Sequence, residues 1–352
     1  MKVGLALIFQ GSEELSDLEV YQSEMRLADL AEPLGFESLW GVEHHFTDYT
    51  MCPDVLKFLT YMAGRTSHIR LGSMVVVLPW HQPVRVAEQV SMLDSLSGGR
   101  VILGIGRGLG RIEFEGLGVP MGESRERFVE AAQLILEGLE LGYVKHEGRY
   151  DQQAHRDLRP APFRSFKGRT YAAAISPESS RIMAQLGVGL LFIPQKPWEA
   201  AAADLGTYRI AYQEVNGVEA PPPVAAGWVF CDRDPGRARE MAHQYIGSYY
   251  HSVLRHYELM GEHLTTTKGY EYYGKMGKLL SEHGADAGAA FFTDLHVFGT
   301  PEQCVQKIRD IRSIVDNDTF VAVCSYAGMP YSEAERNLRL FAGEVLPQLE
   351  RL

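Results

Sequence analysis

Cysteine is scarce in this chain of 352 residues: four stand at 52, 231, 304 and 324, and no two form a C-x-x-C pair. That spacing suits neither a zinc site nor a disulfide framework, so reduced thiols in a cytoplasmic protein are expected. Cationic side chains are outnumbered, with 34 Lys and Arg against 45 Asp and Glu and a net charge of −11. Such a balance lacks the clustered cations that neutralise nucleic-acid phosphates or hold an anionic bilayer, so no nucleic acid and no membrane are expected as partners. Long apolar runs are missing too. The opening MKVGLALIFQGSEE holds only Val3 to Phe9 before glycine and acids. This is too short for a signal peptide or a span, and reads as a first buried strand. The uncharged stretch 71–84 is interrupted by Pro79 and Pro83.

What is present is a rhythm. Short apolar runs fall at 3–9, 37–42, 69–78, 100–106, 169–175, 189–194, 223–230 and 319–326. Between them lie patterns of helical spacing, such as 17–35, 83–99 and 124–142. Strands that are apolar throughout belong in a sheet covered on both faces. Eight strand–helix alternations predict one α/β domain over residues 1–352, a (β/α)8 TIM barrel, with a doubly wound sheet as the alternative. Two stretches break the rhythm. Residues 143–168 read as a long loop. Residues 256–296, rich in Gly, Tyr and His with no clear period, read as an insertion loop serving as a mobile lid.

Three constellations carry chemistry. In VILGIGRGLGR (101–111) glycines at 104, 106, 108 and 110 surround Arg107. No register gives G-x-G-x-x-G, and no G-K-[ST] exists anywhere, so neither the dinucleotide nor the P-loop fingerprint holds. What survives is a strand end followed by Gly-Arg-Gly, where Arg107 is a natural phosphate ligand. In GVEHHF (41–46), Glu43, His44 and His45 end the second strand, where barrel catalytic groups lie; one histidine can face the barrel mouth for acid–base work. A metal site would want further ligands at usable spacing, and none is expected. In ISPESSR (175–181), Ser176 is a helix N-cap with Pro177 at the first helical position. Arg107, Arg125 and the Ser176/Ser179 helix start could converge on one phosphate.

The runs LGFESLWGVEHHFTDYT, GRTSHIRLGSMVVVLPWHQPVRVAEQVSMLDSLSGGRVILGIGRGLGRIEFEGLGVPMGESR, KGYEYY and FGTPEQC resemble the bacterial luciferase family of flavin monooxygenases, within it the α-subunit type, over nearly the whole chain. The resemblance implies reduced FMN, delivered by a separate flavin reductase, at the C-terminal ends of the barrel strands. There it would react with O2 to a C4a-peroxyflavin that oxygenates a small apolar substrate (an aldehyde, ketone or terpenoid). It places Arg107, Arg125, Ser176 and Ser179 on the FMN phosphate. Glu43, Gly106, Gly108, Leu109 and Glu113 fall about the cofactor, and Met74-Val75 falls at the family's non-prolyl cis peptide against the ring. His44 matches the catalytic histidine. Phe46, Tyr49, Phe114 and Tyr249 are expected as substrate walls, 262–291 as the mobile active-site loop, and a homodimer as the assembly. Two departures stand out: Gly106 replaces a reactive cysteine of the luciferases, and LLFIPQKPW lacks the pattern that follows this strand there. The rival readings are a deazaflavin (F420)-dependent dehydrogenase on the same barrel, a non-catalytic β-like partner subunit, and metal-dependent hydrolysis through His44 and His45.

Overall fold

The computed structural model describes residues 1–173 and 177–351. Eight strands form the central sheet: β1 (Lys2–Leu7), β2 (Ser38–Gly41), β3 (Arg70–Ser73), β4 (Val101–Gly106), β5 (Thr170–Ala173), β6 (Gly189–Phe192), β7 (Val224–Cys231) and β8 (Thr319–Val323). Each runs parallel to its sequence neighbours. β8 returns to β1, with Leu5 opposite Ala322 on one side and Leu39 on the other. The β6–β7 pairing, Leu191 opposite Val224, completes the ring. No edge is left open, which is why β4 and β7 are buried at every position: one face packs the barrel interior and the other meets helices. The (β/α)8 expectation holds, and the doubly wound alternative does not.

Helices follow the first seven strands in turn, α1 (Asp17–Ala31), α2 (Val55–Ala63), α3 (Pro83–Leu96), α4 (Ser124–Leu141), α5 (Pro177–Leu186), α6 (Trp198–Asn216) and α7 (Pro235–His256); α8 (Pro301–Val315) leads into β8, and Tyr331–Leu340 follows it. Their starts are chemically marked. Ser16 with Glu19 and Thr300 with Gln303 form capping boxes, and Asp54 and Asp234 each accept from the backbone three residues on. These caps fix where α1, α2, α7 and α8 begin. Because the eight strands are parallel around the ring, their C-termini open on one rim.

Two expectations are corrected. The stretch 143–168 contains an antiparallel hairpin, Tyr143–Glu147 with Gln152–Asp157. Its outer strand is exposed at five of six positions, so no apolar run announced it. The stretch 256–296 is mostly helical, with His263–Thr266, Glu271–His283 and Ala285–Leu295. Gly269 (φ 85°) and Gly284 (φ 84°) break it into pieces too short to show a period, and its inward face is built from Leu264, Tyr270, Phe292 and Leu295.

After β3 the chain makes one more short pairing, Val76 and Val77 against Ile105 and Gly106 of β4. The peptide joining Met74 to Val75 is cis.

Candidate active site

A cavity of about 510 Å³ opens at the C-terminal rim. Of the residues singled out in the sequence, Glu43, His44, Tyr49, Met74, Val75, Gly106, Arg107, Gly108, Leu109, Glu113, Arg125, Ser179 and Tyr249 line it. Phe46 does not. It is 59% exposed with φ 66° and lies against Gly116, where a Cβ would come within 2.4 Å of its ring. Phe114 stands one layer back, buried edge-on to the wall residue Trp80 at 5.5 Å. Ser176 falls outside the described residues.

The backbone shapes one wall. A Cβ on Gly106 would lie 2.3 Å from a Val75 methyl, and one on Gly104 would lie 1.9 Å from the Ser73 carbonyl oxygen. Strand β4 can therefore approach the cis segment only as glycine. Glu43, buried at the end of β2, holds that segment from behind. Its carboxylate accepts from the Val77 amide at 2.9 Å and meets His81 Nε2 at 2.6 Å and His45 Nε2 at 3.3 Å. Burial works against a charge on His81, but the Glu43 bond outweighs it and raises that imidazole's pKa. Of the two adjacent histidines, His45 thus serves Glu43, while His44 lines the cavity.

His44 is oriented by Glu113 on the short helix Arg111–Gly116. Its Nδ1 lies 2.9 Å from Glu113 Oε1, which also accepts from the His45 amide at 2.9 Å. His44 Nε2 is left toward the Tyr257 hydroxyl, 3.3 Å away. Burial pushes the Glu113 carboxyl up, but the His44 charge and the bonds from His256 and His44 prevail and bring it to about 2. Glu113 is therefore a fixed anion at any ordinary pH. Sequence reasoning assigned no role to His256, Tyr257, Thr47 or Trp228. The first two fall where α7 runs into the aperiodic stretch, so nothing in the local pattern marked them. Thr47 Oγ1 lies 2.8 Å from His256 Nδ1, and Tyr49 stacks on the His256 ring at 4.5 Å. Trp228, inside β7, packs 4.2 Å from Tyr249, whose hydroxyl bonds Tyr49 at 2.5 Å.

His44, Glu113 and His256 bring one ligand atom each within 4.8 Å of one another. Two ligands on a tetrahedral zinc stand about 3.3 Å apart. The direct 2.9 Å His44–Glu113 contact is instead a hydrogen bond.

Of the phosphate candidates, Arg107 and Arg125 meet at one oxygen. Arg107 donates to the Gly269 carbonyl at 2.9 Å, and Arg125 approaches the same oxygen at 3.4 Å. Ser179, in the first turn of α5, lines the same cavity. Two guanidinium groups turned to one acceptor, a hydroxyl at a helix start and a glycine-lined wall for a flat ring fit a flavin mononucleotide. Apolar walls from Ile8, Val42, Phe192, Trp228 and Val323 complete the cavity.

A barrel rim that unites a carboxylate-held histidine, a glycine-lined wall and convergent arginines suits an enzyme that binds a phosphorylated cofactor. The family profile described as luciferase-like monooxygenase matches residues 1–318, and the chain belongs to that family. The alkanal monooxygenase alpha chain of Photorhabdus luminescens is 25% identical over 99% of this chain and 98% of its own length. That of Aliivibrio fischeri is 27% identical over 90% of each. Among solved structures, monooxygenase RslO1 from Streptomyces bottropensis superposes with a TM-score of 0.83, 25% identity and 99% coverage of both chains. The oxygenating constituent of 3,6-diketocamphane monooxygenase from Pseudomonas putida, a Baeyer–Villiger enzyme in complex with FMN, gives a TM-score of 0.76 at 19% identity, covering 99% of both. An F420-dependent secondary alcohol dehydrogenase shares the fold at a TM-score of 0.72 and 15% identity, covering 99% of this chain and 98% of its own. No helix among the described residues is long and apolar enough to cross a membrane.

Proposed function

We propose that the chain is the oxygenating component of a two-component monooxygenase. It takes FMNH2 from a separate flavin reductase, O2, and a small apolar aldehyde, ketone or terpenoid, and works as a homodimer. The observation that carries this reading is the meeting, in one cavity, of Arg107 and Arg125 on a common acceptor with His44 held by Glu113. Reduced FMN, when bound, supplies the electrons that activate O2. Arg107, Arg125 and Ser179 hold its single phosphate. Gly106 and the Met74–Val75 segment admit the flat ring, and the apolar walls with Trp228 and Phe192 keep the reacting atoms dry. His44 gives or takes a proton at Nε2, while Glu113 bears the complementary charge at Nδ1.

The test is anaerobic mixing of the protein with FMNH2, followed by an oxygen pulse and absorbance. A flavin transient that outlives the buffer control supports the reading. Reoxidation identical to buffer, with tight binding of a deazaflavin instead, would overturn it in favour of hydride transfer. Flavin binding with no effect on oxygen chemistry would point to a non-catalytic partner subunit.

A further inference from the structure

His256 ends α7 and does not line the cavity, yet both its ring nitrogens face polar groups of the site. Nδ1 meets Thr47 Oγ1 at 2.8 Å, and Nε2 faces Glu113 Oε2 at 3.5 Å. Neither Nε2 nor that carboxylate oxygen has a hydrogen-bond partner among the described residues, and both side chains are essentially excluded from solvent. Two buried polar atoms that would otherwise be orphans thus face each other. We propose that His256 is a positioning residue for His44, acting through Glu113 to fix which His44 nitrogen carries the hydrogen.

The hydrogen count supports this. Burial outweighs the pull of Glu113 and lowers the His256 pKa, so the ring is neutral and carries one hydrogen. The arrangement that leaves no buried oxygen without a donor has the Thr47 hydroxyl donating to Nδ1 and the ring hydrogen on Nε2, given to Glu113 Oε2. Glu113 then offers Oε1 to the His45 amide and to His44 Nδ1–H. His44 is thereby held as the Nδ1–H tautomer, with its Nε2 lone pair toward Tyr257 and the cavity. Every element packed on the cluster takes part: His44, Thr47 and Tyr49 after β2, Glu113 on its short helix, and Tyr249 and Tyr257 from α7 and just beyond it. Tyr49, stacked on His256 with the ring planes 14° apart, keeps the imidazole from rotating.

The role rests on reading His44 as the acid–base group, but its test needs no flavin. In protein labelled with ¹⁵N-histidine and free of cofactor, long-range ¹H–¹⁵N spectra at pH 8 report each imidazole tautomer. Wild type should show His44 as Nδ1–H. His256→Phe, which keeps the stack on Tyr49 but has no nitrogen, should lower the ratio of Nδ1–H to Nε2–H in His44 about tenfold. His256→Gln, whose amide can still donate to Glu113, should restore most of it. FMN affinity should stay within about twofold in both, because His256 touches no cavity surface. A His44 tautomer unchanged in folded His256→Phe would overturn the proposal. Should that variant fail to fold, His256→Met, likewise without a donor for Glu113, takes its place, and an undisturbed His44 there overturns the proposal equally. Loss of FMN binding with the tautomer shift intact would instead count against the cofactor reading alone.

Discussion

The guanidinium of Arg107 lies 4.2 Å above the ring of Tyr270, and the same side chain donates to the Gly269 carbonyl at 2.9 Å. Tyr270 is fully buried, and its hydroxyl reaches back to the Gly108 carbonyl at 2.9 Å and to Ser124 at 2.9 Å. The segment expected as a lid is therefore fastened to the loop that carries Arg107. The stack keeps the planar fork aimed while leaving its edge for an acceptor.

Arg107→Ala should weaken FMN binding by about tenfold or more, since a hydrogen bond to a charged group contributes roughly 1.5–3 kcal/mol. Riboflavin, which lacks the phosphate, should bind both proteins alike. Arg107→Lys should recover only part of the loss, because an ammonium keeps the charge but neither the fork nor the stack. Fluorescence titration with the two flavins decides this; an equal loss for riboflavin would show that Arg107 acts on the fold rather than on the phosphate.

Gly106 and Val75 should be coupled. A methyl at 106 meets the Val75 side chain at 2.3 Å, so Gly106→Ala is expected to cost about 1–3 kcal/mol by overpacking. In Gly106→Ala/Val75→Ala the Val75 γ-methyl it would strike is gone, and much of the lost stability should be regained. Gly104→Ala has no such remedy, because its neighbour at 1.9 Å is the Ser73 backbone oxygen. Urea denaturation of wild type, Gly106→Ala, Val75→Ala, their double variant and Gly104→Ala checks this, and additive effects at 106 and 75 would contradict it. The same contact leaves no room for a side chain at 106 beside Val75.

The barrel and part of its site were legible for a physical reason: strands buried on both faces must be apolar runs, and functional groups at their ends stand out against them. Glu43, His44 and Arg107 directly follow such runs. Glu113 came only by resemblance, because a buried carboxylate on a six-residue helix has no local signature. His256 was hidden in the passage from a long helix into a glycine-broken one, and Trp228 inside β7 looked like core. Phe46 and Phe114, expected as walls, do not line the cavity, since type and proximity in sequence say nothing about direction. Phe46 adopts a positive φ that turns it outward, and Phe114 stands behind Trp80.

Asp94 of α3 and Arg169 just before β5 form a buried bidentate pair, with Nη1 and Nη2 at 2.6 and 2.8 Å from the two carboxylate oxygens. Arg169 also donates to the carbonyls of Val101, Arg164 and Ser165, so it ties α3 and β4 to the chain entering β5. Arg169→Met leaves Asp94 charged and buried, and should cost about 3–5 kcal/mol. The double variant Arg169→Met/Asp94→Leu should be more stable than Arg169→Met alone. A double variant at least as unstable as the single would mean that the carbonyl contacts, not the stranded charge, dominate.

Glu24 supplies the pH-dependent prediction. It lies on the inner face of α1, 1% exposed, with Ser325 donating to Oε1 at 2.7 Å and Oε2 without a partner among the described residues. Burial raises its carboxyl from 4.5 to about 7, against the opposing pull of Ser325 and, more weakly, of nearby Tyr331 and the Phe9 backbone. A raised folded-state pKa means the native protein holds this proton more tightly than the unfolded chain. The contribution is fully present below about 4.5 and is lost as pH rises through about 7. At about 1.4 kcal/mol per tenfold change in proton affinity, the ionised form at pH 8 costs on the order of 3 kcal/mol. Glu24→Gln, uncharged and able to keep the Ser325 bond, should therefore be more stable than wild type at pH 8. It should gain little or nothing at pH 5, where wild type carries the proton in the fold. Thermal melts of both proteins across pH 5 to 8 measure the difference. Parallel curves would show that the Glu24 carboxylate finds solvent or a cation on ionising, and that its burial does not govern stability.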